Sequence, residues 1–223
     1  MSVKTTKGYK GVGMDGMIAT WYAKNTEKNL EDYRKDALKI AGQIPQGGAV
    51  LDLAQGPGYL SIQLAKLGDY KITGLDISAK FVEIAQAKAR QAGVNIDFRQ
   101  GDASDMPFEE ATFDFIVCRA AFKNFSQPVQ ALDEMHRVLK PGGKASIIDL
   151  RNDLSSETIN RLVADMQLGW IDALITKWTF KHMLVKRAYP KQRFIEFAGH
   201  SRFKTCEIVD DPVGLEVRLE KSG

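Results

Sequence analysis

Val50-Leu51-Asp52-Leu53-Ala54-Gln55-Gly56-Pro57-Gly58-Tyr59-Leu60 reads as a buried strand, a glycine turn and the start of a helix. Val50, Leu51 and Leu53 form an apolar run with an acid inside it, the pattern of a parallel strand covered on both faces and ending near a ligand. Gly56 and Gly58 lack a Cβ, so the chain can turn sharply and a ligand can approach the backbone. Amides at the start of the following helix then point toward a negative group, a phosphate or a carboxylate. A second apolar strand, Ile72-Thr73-Gly74-Leu75, ends in Asp76, twenty residues after Gly56. An acid at that distance and position is placed to accept hydrogen bonds from the two ribose hydroxyls of an adenosine. For Gly74 itself a plain backbone role stays open.

Working outward, strand and helix patterns alternate from Ala49 to Leu150, which predicts a parallel sheet with helices on both faces. Ser78 is placed to cap a helix whose stripe includes Phe81, Val82, Ile84, Ala85 and Ala89, with Lys88 at its wet edge. Leu132, Met135, Val138 and Leu139 define another helix, stopped by Pro141-Gly142-Gly143. Further strands are expected at Asn95–Arg99, Phe113–Cys118 and Lys144–Leu150. Pro190 suits a first helical turn, so a helix is expected from there through Phe197, ending at Gly199. Strands at Lys204–Val209 and Gly214–Glu220 flank Asp210-Asp211-Pro212. So short a connection joins antiparallel neighbours, so the last strand should run against the rest of the sheet.

Four segments, in this order and spacing, resemble the class I S-adenosylmethionine-dependent methyltransferases, and among them the small-molecule, quinone-biosynthesis group. They are Leu51-Asp52-Leu53-Ala54-Gln55-Gly56-Pro57-Gly58; Gly74-Leu75-Asp76-Ile77-Ser78; Gly101-Asp102-Ala103 with Met106-Pro107-Phe108; and Arg137-Val138-Leu139-Lys140-Pro141-Gly142-Gly143. The resemblance implies an α/β, Rossmann-like, seven-stranded sheet, mostly parallel with an antiparallel last strand, helices on both faces and a helical lid inserted after the fifth strand. It also implies S-adenosyl-L-methionine as cofactor. On that basis Ala54, Gln55, Gly56 and Gly58 accommodate the methionine part, and Asp52 accepts from its ammonium. Asp76 takes the ribose hydroxyls, and Ile77 packs on the adenine. Asp102 accepts from the exocyclic amine, the amide of Ala103 meets a ring nitrogen, and Arg119 contributes backbone. Where the family often has Gly-Cys this chain has Ala54-Gln55, and the side chain of Gln55 has no assigned role.

After the fourth strand, relatives often carry a histidine near the substrate. Here Lys123 and Asn124 occupy that neighbourhood, Asn124 as a group to orient a substrate and Lys123 as a solvated charge. Tyr22, Asn124 and His182 are the catalytic candidates, with His182 the one histidine to test as a base. His136 reads as surface and His200 as a cap or turn residue. No His, Cys and acid cluster has metal spacing, so no catalytic metal is expected.

The 223 residues are expected to form one methyltransferase domain with an N-terminal helical cap over 1–45 and a lid over 152–188. The lid stripes are Ile159, Leu162, Val163, Met166 and Ile171, Leu174, Ile175, Trp178. With Met14, Met17, Trp21 and Tyr22 they are expected to cover the carboxyl ends of the strands, where such sheets bind ligands. A net charge of +3, from 31 basic and 28 acidic residues, makes no strong case for nucleic acid. Two unpaired-looking cysteines and the lack of a long apolar run point to a reduced, cytoplasmic protein, with a homodimer possible. The expected function is methyl transfer to a small, largely apolar or aromatic molecule. The alternatives are an RNA or protein methyltransferase, or a regulatory module that binds the cofactor without using it. A nicotinamide-dependent dehydrogenase fits less well, because Pro57 interrupts the glycine series and the tail forms a hairpin.

Overall fold

The computed structural model describes residues 8–10, 15–153, 155–165, 188–211 and 214–223. Two helices, α1 (Gly16–Thr26) and α2 (Leu30–Ala41), precede β1 (Ala49–Leu53), α3 (Tyr59–Ala65), β2 (Lys71–Asp76), α4 (Ala79–Ala92) and β3 (Asp97–Gln100). Then follow β4 (Phe113–Arg119), α5 (Pro128–Val138), β5 (Leu139–Leu150), α6 (Ser156–Asp165), α7 (Lys191–His200), β6 (Glu207–Asp210) and β7 (Gly214–Glu220). The seven strands lie in the order β3-β2-β1-β4-β5-β7-β6. β1 pairs in parallel with β2 and β4, β2 with β3, and β4 with β5, whereas β7 runs antiparallel to both β5 and β6.

Alternation along the strands builds a core on each face of the sheet. Leu51, Ile116, Cys118 and Ile147 pack with Leu132 and Met135 of α5 and Phe194 and Phe197 of α7. Val50, Phe115 and Val117 pack on the other side with Ile40 of α2 and Tyr59 and Leu64 of α3. Both faces of β1 and β4 are therefore covered, which accounts for their unbroken apolar runs. Removing the fully buried Phe115 ring would cost about 3–5 kcal/mol.

Most helix signals act where the sequence puts them, but α5 ends at Val138 and β5 begins at Leu139, so Leu139 and Pro141-Gly142-Gly143 lie within the strand rather than at the helix end. Ser78 caps α4, its Oγ accepting from the Phe81 amide at 3.2 Å, and Gly93 ends the helix in the left-handed region at φ +69°. Pro190 is the residue before α7 rather than its first, and the helix runs on to His200. β3 begins at Asp97 and β6 at Glu207, each two or three residues later than the apolar pattern suggests, because both are edge strands with few partners to extend them.

The N-terminal segment corrects one expectation. Met17 and Trp21 do not face the sheet; they are 89% and 68% exposed. The inward face of α1 carries Ala19 and Ala23 instead, whose small side chains let the helix lie close to its neighbours, and the Tyr59 hydroxyl donates to the Ala23 carbonyl at 2.8 Å. Met14, and the stretch 166–187 with Trp178 and His182, lie outside the described residues. Of the first lid stripe, Ile159 and Val163 are buried on α6. Among the described residues, no helix is long and apolar enough to cross a membrane.

Candidate cofactor and acceptor site

Strand order reverses between β1 and β4, since β2 and β3 extend to one side and β5 to the other. At such a switch point the loops leave in opposite directions and open a crevice beyond the carboxyl ends of the strands. The glycine turn lies there. Ala54, Gly56 and Gly58 are all left-handed, at φ +57°, +54° and +79°. Beside Gly56 an added Cβ would meet nothing within 4 Å, so the turn is open toward the crevice on that side. At Gly58 an added Cβ would lie 2.9 Å from Ala85 and 3.0 Å from Phe98, so this glycine is needed for packing against α4 and β3. Gly74 is tighter still, with Phe98 at 2.4 Å from the same notional atom.

Asp76 ties the second strand to the turn. Its Oδ2 accepts from the Gly56 amide at 2.9 Å and its Oδ1 from the Ser78 amide at 2.8 Å. Each carboxylate oxygen keeps a lone pair for a further donor. Burial pushes the carboxyl up to about 6, against the opposing pull of those amides. Asp52 is buried more deeply and accepts from Ser61 Oγ at 2.5 Å; burial raises it to about 7. Two acids held above their ordinary value at one crevice make a site that gains from binding a cation.

Gln55 departs from this pattern. Its side-chain amide is buried with no hydrogen-bond partner at either end among the described residues. It lies beneath the turn, with Oε1 3.1 Å from where a Gly74 Cβ would be, and so points into the layer between β2 and α4.

Ile77 is half-buried at the end of β2. Asp102 serves as a turn cap: its Oδ1 accepts from the Ser104 amide at 2.8 Å and from Ser104 Oγ at 2.7 Å. The backbone of Gly8 lies against the same carboxyl, at φ +106°. Ala103 packs against the core. Gly8 and Lys10 are held to the post-β4 turn by Ser126 N to Gly8 O at 3.0 Å and Lys10 N to Asn124 O at 2.7 Å. This segment was not singled out from sequence, because backbone pairing of three residues leaves no side-chain pattern.

The structure changes the reading of the residues after β4. Lys123 is not a solvated charge. It is buried, with Nζ 2.6 Å from Asp149 Oδ1 and 2.7 Å from the Ala120 carbonyl, while its own amide donates to Asp149 Oδ2 at 3.2 Å. The carboxylate at the end of β5 supplies the partner that makes burial tolerable. Asn124 is half-buried, and its side chain has no hydrogen-bond partner among the described residues. Arg119 offers more than backbone: Nε donates to Asp36 Oδ2 at 2.5 Å, and the guanidinium lies 4.1 Å from the ring centroid of Tyr33.

Tyr22 stands edge-on to Phe81 at 5.8 Å and feels the charges of Arg119, Asp76 and Asp149. Burial pushes its phenol up, so at neutral pH it is a hydrogen-bond donor rather than a base. His136 is not plain surface. It packs edge-on to Phe203 at 5.0 Å, with Nδ1 buried and unpartnered. His200 closes α7, its Nδ1 2.7 Å from the Glu196 carbonyl. Among the described residues, no three His, Cys, Asp or Glu side chains converge as a metal site would require.

Residues 50–143 match the family model described as a methyltransferase domain. Over that stretch the chain is similar to methyltransferase domains. The cofactor of such a domain is S-adenosylmethionine. The demethylmenaquinone methyltransferase of Chlorobaculum tepidum is 35% identical over 138 residues, 62% of this chain and 50% of that protein. The ubiquinone/menaquinone biosynthesis C-methyltransferase of Bdellovibrio bacteriovorus is 38% identical over 120 residues, 52% of this chain and 50% of that protein. The chain thus spans about half the length of the curated relatives it matches. Among solved structures, a putative S-adenosyl-L-methionine-dependent methyltransferase from Methanococcus maripaludis shares the fold with a TM-score of 0.74 at 24% identity, covering 96% of both chains.

Proposed function

We propose that this protein transfers a methyl group from S-adenosylmethionine to a small, largely apolar or aromatic acceptor of quinone type. The observation that carries the cofactor half is the join between Asp76 and the open glycine turn, where one carboxylate fixes both Gly56 and Ser78. Asp76 receives the ribose hydroxyls, Ile77 covers the adenine, and Asp102 and Ala103 meet its polar edge. Asp52, once ionised, faces the ammonium end. Similarity to demethylmenaquinone methyltransferases over the cofactor-binding half supports the acceptor class.

When bound, the cofactor supplies an activated methyl group on a sulfonium. The protein then has to align the acceptor, exclude water and dispose of a proton only where the acceptor holds one tightly. Lys123 is unsuited to be the base, since its ammonium is held by Asp149 and the Ala120 carbonyl. Tyr22 and Asn124 orient the acceptor as hydrogen-bonding groups. An ionised quinol, nucleophilic at ring carbon, fits a site with orienting groups and no committed base. The S–CH3 bond breaks as the new C–C bond forms, leaving neutral S-adenosylhomocysteine. The ring-carbon proton, made acidic by the adjacent carbonyl of the dienone, leaves to solvent as aromaticity is restored.

Calorimetric titration with S-adenosylmethionine, followed by incubation with labelled donor and a short-chain demethylmenaquinol, tests the reading. Binding with methyl incorporation at carbon is expected. Absence of donor binding overturns it, and binding without turnover over a broad acceptor set favours a regulatory module.

A further inference from the structure

Arg119 ends β4 at the switch point, beside the carboxyl end of β1, with Val117 of β4 paired to Asp52. Its guanidinium is held from two sides. Asp36 of α2 takes Nε at 2.5 Å, and the ring of Tyr33, one turn earlier on the same helix, supports its flat face at 4.1 Å. The ion pair is three-quarters buried, with side-chain exposures of 23% and 26%. Asp36 uses only Nε, and neither Nη1 nor Nη2 has a hydrogen-bond partner among the described residues. An arginine fixed at Nε and on one face presents its remaining edge as a rigid fork, the geometry that takes two oxygens of one anion. The charge is felt where a ligand would lie, since it acts on Asp52 and on the hydroxyls of Tyr22 and Tyr33.

We propose that Asp36, Arg119 and Tyr33 form an oxyanion clamp at the β1/β4 crevice, with Arg119 binding an anionic oxygen group and Asp36 acting as its positioning residue. Such a group reaches the crevice from two sources: the carboxylate of the cofactor's methionine, or an ionised oxygen on the acceptor. The inference rests on the cofactor reading above and adds the residue that recognises negative charge. A lysine would not serve equally, because an ammonium has neither the fork nor the flat face that Tyr33 supports.

Binding measurements on the full chain separate the outcomes without requiring turnover. Wild type, R119Q, R119K and D36N are titrated with S-adenosylmethionine and with its decarboxylated analogue. In the presence of S-adenosylhomocysteine they are also titrated with 2-hydroxy-1,4-naphthoquinone, an anion at neutral pH, and with neutral 1,4-naphthoquinone. If the clamp holds the methionine carboxylate, wild type prefers the intact cofactor by at least about tenfold, and R119Q abolishes that preference. If it holds the acceptor, R119Q keeps cofactor affinity and loses the preference for the anionic naphthoquinone. In either case R119K and D36N fall between wild type and R119Q, and R119K retains the charge should R119Q fail to fold. Preferences unchanged in folded R119Q or R119K overturn the clamp while leaving the cofactor reading intact. A wild-type protein that binds no S-adenosylmethionine overturns both.

Discussion

Lys123 Nζ and Asp149 Oδ1 lie 2.6 Å apart with side-chain exposures of 6% and 1%, a buried ion pair joining the turn after β4 to the end of β5. Removing one partner leaves the other charged and dry, which costs about 3–5 kcal/mol, whereas replacing both with apolar groups of similar volume is close to neutral. Lys123→Met and Asp149→Leu should each destabilise the protein by that amount in urea unfolding, and the double variant should recover most of it. A double variant as unstable as the sum of the singles would show that the pair is not the unit that matters.

The glycines of the two strand ends should differ in kind. Gly74→Ala places a methyl 2.4 Å from Phe98, so the strand or the ring must move, at a cost of about 1–3 kcal/mol. Gly56→Ala meets nothing within 4 Å and carries only the strain of φ +54°, about 1–2 kcal/mol, so most of the protein should remain folded. Its added methyl enters the crevice, and donor affinity should fall. Chemical denaturation together with donor titration distinguishes the two effects; equal donor affinity in wild type and Gly56→Ala would contradict the open cradle.

What could be read in the sequence was what depends on local spacing. The strand, the left-handed turn and Asp76 declare themselves because Gly56 and Asp76 meet across one β-α-β unit, with a helix of ordinary length fixing their separation. Ser78 was legible for the same reason, its cap spanning three residues. The rest depended on tertiary pairing. Nothing near Arg119 announces Asp36, 83 residues away, and nothing near Lys123 announces Asp149. A lysine beside an asparagine looks solvated until the end of β5 is brought beneath it. Gly8 against Asp102 is likewise invisible, because backbone approach depends on the path of the chain and leaves no periodic trace.

Glu216 on β7 is 2% exposed yet surrounded by donors: Lys39 at 2.9 Å, Ser146 Oγ at 2.9 Å, Arg218 at 3.1 Å and Gln43 at 3.3 Å. These hold its carboxyl down at about 2, against the upward pull of burial. A depressed folded value means that ionisation favours the folded state above the ordinary value of 4.5, and that this contribution disappears as pH falls through about 2. Glu216→Gln should therefore lower stability at pH 7 by about 1–3 kcal/mol and flatten the loss of stability between pH 4.5 and 2. Thermal melting across that range checks it, and an unchanged acid limb would remove Glu216 from the account.

Asp52 and Asp76 work in the opposite sense. Burial raises them to about 7 and about 6 from an ordinary 3.8, so the folded, ligand-free protein holds protons that the unfolded chain has already released. Between pH 4 and 7 the native state binds more protons, so their contribution makes stability fall as pH rises and then level off. A cationic donor reverses the balance, because it is attracted to the ionised acids and drives their protons off. Donor affinity should therefore strengthen from pH 5 to 8, with proton release on binding measurable by calorimetry in buffers of different ionisation enthalpy. Asp52→Asn should remove the upper part of that rise and lower affinity at pH 8 by about tenfold, the loss of one charge-assisted hydrogen bond. Asp76→Ala should weaken binding more while the fold survives, since it removes both the ribose acceptor and the fixing of the Gly56 amide. Donor affinity that stays flat with pH in wild type, or that survives Asp76→Ala, would place the cofactor's polar contacts elsewhere in the crevice.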